Sequence, residues 1–65
     1  MIQINKLKAL FVEKNITQQE IAKELGITET TMSRKMKKGV FDSDEMYKMI
    51  EILEIENPSE IFFAS

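Results

Sequence analysis

The stretch TQQEIAKELGITETTMSRKMKK, residues 17–38, reads as two short helices broken at Gly26 and Ile27. Thr17 and Glu20 stand in the T-x-x-E spacing of a capping box, and Ile16 and Ile21 are placed to close a hydrophobic staple around it, which predicts a helix beginning at Gln18. Ile21, Ala22 and Leu25 form a narrow apolar stripe, leaving Gln19, Lys23 and Glu24 to solvent. Ala22, small and inward-facing, lets a second helix cross at close range. Gly26 follows the last apolar position and supplies the left-handed residue that stops the helix. Thr28 is placed to cap the next helix. Met32 and Met36, four positions apart, mark its inner face, so Glu29, Thr30, Ser33, Arg34, Lys37 and Lys38 are turned outward.

On either side of this pair the sequence supplies a scaffold. Over residues 5–14, Leu7, Leu10 and Phe11 fall at i, i+3 and i+4, an amphipathic first helix ending near Asn15 and packing across the pair. Val40 and Phe41 are a short connector. Asp42 and Glu45 then repeat the capping-box spacing, with Phe41 and Met46 as a staple. Met46, Met49, Ile50 and Leu53 form the buried stripe of a fourth helix that is expected to end around Ile55. Pro58 suits the first position of a fifth helix with Asn57 as its cap, and Ile61, Phe62, Phe63 and Ala64 are its apolar content. Both glycines and the single proline thus fall at predicted helix ends, so local signals and global pattern agree. No repeat, low-complexity tract or linker interrupts the chain, and one all-α, five-helix domain over residues 1–65 is expected.

Composition narrows the function classes. Sixty-five residues lie near the lower limit for an unassisted core, and with no Cys no disulfide staples it, so stability must come from helix packing. The absence of His and Cys removes the usual zinc ligands and the commonest general base. Catalysis would rest on carboxylates, Lys or Tyr47, none in a spacing that implies a cleft, and so small a core rarely spares a ligand-sized pocket. Neither an enzyme nor a cofactor, metal or small-molecule site is expected. With no signal-peptide pattern and no apolar span, no membrane association is expected and the expected compartment is the cytoplasm.

The net charge of −2 conceals a division along the chain. Residues 1–38 hold eight Lys and Arg against four Glu, whereas residues 39–65 hold one Lys against seven acids. Such a dipolar chain offers a positive face to phosphates while its acidic end stays in water and suppresses indiscriminate binding. Weak non-specific affinity and strong salt dependence are the expected consequences.

Two helices joined by a short turn containing Gly are the helix-turn-helix pattern, whose second helix enters the DNA major groove. At Gln18, Ala22, Gly26, Met32 and Gly39 the chain resembles the lambda-repressor/Cro type of phage and bacterial transcriptional regulators, and the resemblance covers nearly all of it. It implies a compact five-helix lambda-repressor-like domain, a helix-turn-helix over residues 17–38 and a recognition helix over about 28–38. Lys35 departs from the pattern, since the family commonly has a second apolar residue there; Met36 is placed to take over that packing and shift the helix end.

The resemblance also distributes roles. Gln18 looks like the family's phosphate-clamping glutamine, where side chain and helix amides meet the DNA backbone together. Glu29 and Thr30 open the recognition helix, where base edges are usually reached: Glu29 as an acceptor from cytosine N4, Thr30 toward a thymine methyl or a base edge. The competing reading of Glu29 is an acid favoured by the helix dipole. Arg34 matches a base-reading position and suits guanine N7 and O6. Thr28, Ser33, Lys35, Lys37 and Lys38 are phosphate candidates. Adjacent aromatics on a helix point about 100° apart, so Phe62 and Phe63 are not both expected to be buried. One of them with Ile61 is expected to form an exposed patch supporting a homodimer, which would set two recognition helices roughly 34 Å apart on a palindromic operator. The function so implied is sequence-specific binding of double-stranded DNA by a Cro-sized phage or prophage regulator. The alternative is a protein-interaction module, an anti-repressor or adaptor on the same scaffold, which the C-terminal acidity and Phe62-Phe63 favour.

Overall fold

In a computed structural model, which describes residues 2–63, five helices follow one another: α1 (Ile4–Glu13), α2 (Gln18–Leu25), α3 (Glu29–Lys38), α4 (Ser43–Ile52) and α5 (Pro58–Phe62). The domain measures 28 × 23 × 19 Å. Its core is formed by Leu7 and Phe11 of α1, Ile21, Ala22 and Leu25 of α2, Met32 and Met36 of α3, Met49 of α4, Ile61 and Phe62 of α5, and Phe41 and Leu53 from the connecting segments. α2 lies against both α3 and α4, while α5 closes over α1. The Gln3 N–H donates to the Ile61 carbonyl at 2.7 Å, tying the two ends of the chain together.

Helix starts follow the local chemistry. The Thr17 hydroxyl accepts from the Glu20 N–H at 3.1 Å while the Glu20 carboxylate accepts from the Thr17 N–H at 3.0 Å. Asp42 and Glu45 build the same reciprocal pair at the start of α4, with distances of 2.8 and 2.9 Å. Thr28 accepts from the Thr31 N–H at 3.1 Å and begins α3. Asn57 does not behave as expected, since its side chain makes no bond to the α5 backbone and Oδ1 instead accepts from the Ser59 hydroxyl at 2.9 Å.

Helices α1 to α4 all end on a left-handed residue followed by a β-branched apolar one: Asn15-Ile16, Gly26-Ile27, Gly39-Val40 and Glu54-Ile55. In each, the N–H of the apolar residue reaches back to a carbonyl five positions earlier, satisfying a helix-end acceptor. This is why α4 stops at Ile52 rather than near Ile55: Glu54 adopts φ +52°, a conformation that a glutamate does not advertise. Ile16, Ile27 and Ile55 pack against the core, whereas Val40 stands in solvent.

The expected C-terminal patch is corrected in one respect. Phe62 and Phe63 do part, with Phe62 buried and Phe63 62% exposed. Ile61, however, is 8% exposed, turned into the core where α5 meets α1, and cannot form an exposed patch with either. Of the three residues expected at a dimer interface, Phe63 alone stands free in the monomer. Ala64 lies outside the described residues.

Candidate nucleic-acid interface

The segment 26–28 turns the chain between α2 and α3. Gly26 adopts φ +74°, its N–H donates to the Lys23 carbonyl and that of Ile27 to the Ala22 carbonyl, after which extended Thr28 caps α3. A Cβ at Gly26 would meet no neighbour within 4 Å, so the demand for glycine there is conformational rather than steric. Met32 and Met36 are buried and fix which side of α3 faces the core. Glu29, Thr30, Ser33, Arg34, Lys37 and Lys38 are accordingly all exposed on one continuous face, and Thr28 at the turn is exposed beside them.

Gln18, at the first position of α2, is half-buried, and its Nε2 donates to the Ser33 hydroxyl of α3 at 3.0 Å. The start of α2 is thereby joined to the middle of α3's outer face, and two of the expected phosphate contacts become direct neighbours. The remaining Ser33 hydrogen and the Gln18 carbonyl oxygen are free to engage a further group.

Lys35 is placed differently from its neighbours. Its ammonium lies 3.1 Å from Glu45 Oε1, with the lysine side chain 28% and the glutamate side chain 9% exposed. The same Oε1 accepts the Asp42 N–H. Among the expected phosphate contacts Lys35 thus differs from the exposed Lys37 and Lys38, because α4 supplies a carboxylate against its flank. Glu45 was legible as a capping residue, but nothing in its local sequence indicated that it is buried and paired across ten positions.

Charge follows the helix dipoles. Lys35, Lys37 and Lys38 occupy the last turn of α3, while Asp44 and Glu45 occupy the first turn of α4, each sign at the end that favours it. Arg34, Lys35 and Lys38 also line a shared hollow with Thr31 and the exposed Val40. On the other flank, Gln19, Glu20, Lys23 and Glu29 surround a hollow floored by Ala22 and Ile27. There Glu20 has its carboxyl held below the ordinary glutamate value, first by the hydrogen bond from the Thr17 backbone and then by that from the Thr17 hydroxyl.

Among the described residues no group of three or more His, Cys, Asp or Glu stands together to hold a metal, and no helix is long and apolar enough to cross a membrane. No buried side-chain nitrogen or oxygen among them lacks a hydrogen-bond partner. What the arrangement can do is chemical recognition by an exposed face: a carboxylate, hydroxyls, a guanidinium and two ammonium groups on one rigid helix, flanked by an amide from another.

The model of a family described as a protein of unknown function, DUF739, matches residues 2–64, and the chain belongs to that family. No curated protein sequence and no solved structure matches it.

Proposed function

We propose that this member of the DUF739 family is a sequence-specific double-stranded DNA-binding transcriptional regulator of the lambda-repressor/Cro kind, in which α2 and α3 act as a helix-turn-helix. One observation carries the reading. The buried pair Met32 and Met36 holds α3 so that every other side chain of its outer face is polar or cationic, and Gln18 stands tied to that face across the turn. Such a helix, 10 residues long and supported from behind, has the size of an element that a major groove admits. Glu29, Thr30 and Arg34 are its candidates for base edges; Gln18, Thr28, Ser33, Lys37 and Lys38 its candidates for phosphates. A homodimer through the Phe63 surface would set two such helices about one DNA turn apart, on a palindromic operator. In this reading the protein works in the cytoplasm without catalysis or cofactor, and the phage or prophage setting follows from the family resemblance.

The test is selection from a randomised duplex library, followed by titration of selected and scrambled duplexes across salt concentrations. The expected result is a palindrome with half-sites roughly 34 Å apart and an affinity that falls steeply with salt. Binding to no duplex even at low salt would remove the reading.

A second reading, as a protein-interaction module, is favoured by a different region. Leu10, Ile55 and Ile61 floor a hollow rimmed by Glu13, Glu54, Glu56 and Glu60, with Lys14 the only cation at its edge. That combination of apolar floor and anionic rim suits a basic segment of a protein partner. It becomes the leading reading if the duplex selection yields nothing.

A further inference from the structure

Resting on the DNA-binding reading, we propose that Lys35 is a positioning residue of the recognition surface and makes no phosphate contact, its charge being held by Glu45. Glu45 is the one buried charged residue among those described, and Lys35–Glu45 is their one ion pair. A single oxygen, Oε1, binds both the Lys35 ammonium at 3.1 Å and the Asp42 N–H at 2.9 Å. The end of α3, the connector and the start of α4 therefore meet at one atom. An ammonium already neutralised in this way displaces no counterion from a phosphate backbone, because counterion release scales with the charges that the DNA itself pairs with.

The pair has a counterpart. Ser33, two residues earlier and so about 200° around the helix from Lys35, is joined to Gln18 of α2. The cationic helix is held from both flanks by polar ties, one to α2 and one to α4, while the two methionines hold it from behind. Arg34 lies between Ser33 and Lys35 in sequence and projects from the untied face, sharing a hollow with Lys35 and Lys38. On a helix, fixing the azimuth of one residue fixes that of its neighbours, so the Lys35 tie sets where Arg34 and Lys38 point. It also accounts for a polar residue standing where the resembled family has an apolar one: the packing contact is replaced by a charged bond.

The experiment compares wild type with Lys35→Ala, Lys35→Arg, Lys37→Ala and Glu45→Gln on one selected and one scrambled duplex over a range of salt. Circular dichroism confirms the fold of each variant, and Lys35→Met, which keeps the packing of the aliphatic stem, replaces Lys35→Ala if that variant has melted. For Lys35→Ala the expected result is an unchanged slope of log affinity against log salt and a preference for the selected duplex reduced about tenfold, the scale of one misdirected base contact. Lys35→Arg, which can still reach Glu45, restores the preference. Lys37→Ala, by contrast, makes the slope shallower by about 0.9 and weakens binding to both duplexes alike. Glu45→Gln retains an acceptor for the Asp42 N–H but frees the Lys35 charge, so the slope steepens by as much as about 0.9 while the preference falls. A slope made shallower by about 0.9 in Lys35→Ala with preference intact would make Lys35 a phosphate contact and overturn the proposal. Wild type that discriminates, with Lys35→Ala indistinguishable from it, would overturn the positioning role alone. Wild type that binds neither duplex at low salt removes the DNA-binding reading and this role with it.

Discussion

Helices α3 and α4 are built alike and dressed differently. Each has 10 residues, begins with a side chain accepting the N–H three positions on, and ends on a left-handed residue followed by a β-branched one. Each sends a methionine with no exposed surface into the same core, Met32 from α3 and Met49 from α4. Yet the exposed face of α3 carries Arg34, Lys37 and Lys38 against one Glu29, and that of α4 carries Asp44 and Glu51 against one Lys48. The shared features are those that capping and packing require; neither dictates the charges of the exposed faces, which the helix dipoles favour only at the last turn of α3 and the first turn of α4. On the proposed reading, function rests on what the exposed face of α3 is made of and not on its burial pattern.

The comparison would break first at the core. Met32→Ala and Met49→Ala should each cost about 2–5 kcal/mol of stability, from lost transfer free energy and the cavity left behind. Similar losses in urea unfolding would establish that the two helices are equal structural partners. A loss confined to one of them would show that the other merely leans on the fold.

Arg34 and Lys48 separate the two outer faces. On the proposed reading, Arg34→Ala should weaken binding to a selected duplex by about 1–3 kcal/mol and relax preference at one base pair, without lowering the melting temperature appreciably. Lys48→Ala, also a surface cation, should leave duplex binding unchanged. Equal loss on every duplex would assign Arg34 to the DNA backbone, and equal effects of the two variants would remove the distinction between the faces.

A smaller effect sharpens the comparison at the helix ends. Gly39 and Glu54 hold the same left-handed conformation, with φ +70° and +52°. Gly39→Ala should destabilise by about 1 kcal/mol, since a side chain is disfavoured there and the new Cβ would meet Ile4 Cγ1 only at an ordinary 3.5 Å. Glu54→Gly should stabilise by up to about 1 kcal/mol, less what glycine adds to the freedom of the unfolded chain. Thermal melts of the two variants should shift in opposite directions.

The smallest effect concerns the capping box that α4 shares in form with α2. Because Glu20 is held below its ordinary value in the folded chain, its contribution to stability is present above that value and lost as pH falls through the lowered one. In Glu20→Gln, which retains an acceptor for the Thr17 N–H, the melting temperature should fall less steeply on acidification through that window than in wild type. Identical profiles would mean that the carboxylate's bonds to Thr17 do not persist in solution.

Much of the fold was legible because helix starts are local. The T-x-x-E and D-x-x-E spacings placed Thr17 and Asp42 correctly, since each capping bond spans three residues and needs no tertiary partner. The stops were legible where a residue that tolerates the left-handed conformation marks them: Asn15, Gly26 and Gly39 announced the ends of α1, α2 and α3, while Glu54 turned left-handed without a signal and left α4 three residues shorter than its apolar pattern suggested. At the candidate interface the outward set on α3 followed from Met32 and Met36. Gln18 was singled out only through a resemblance, and its bond to Ser33 was not foreseen, because a contact across 15 positions depends on how two helices cross.

By itself, the sequence determined that this chain is helical, where most of its helices begin, and which face of each helix turns inward, because capping and amphipathic spacing act within a turn or two of the chain; Leu10, Met46 and Ile50, read as buried, are only partly so. Tertiary structure decided that Lys35 is bound while Lys37 and Lys38 are free, that Ile61 is buried while Phe63 stands out, and that Glu45 lies in the interior. Each of those depends on what a distant helix brings alongside: α4 offers Lys35 a carboxylate, and α1 covers one side of a helix of 5 residues while leaving the other in water.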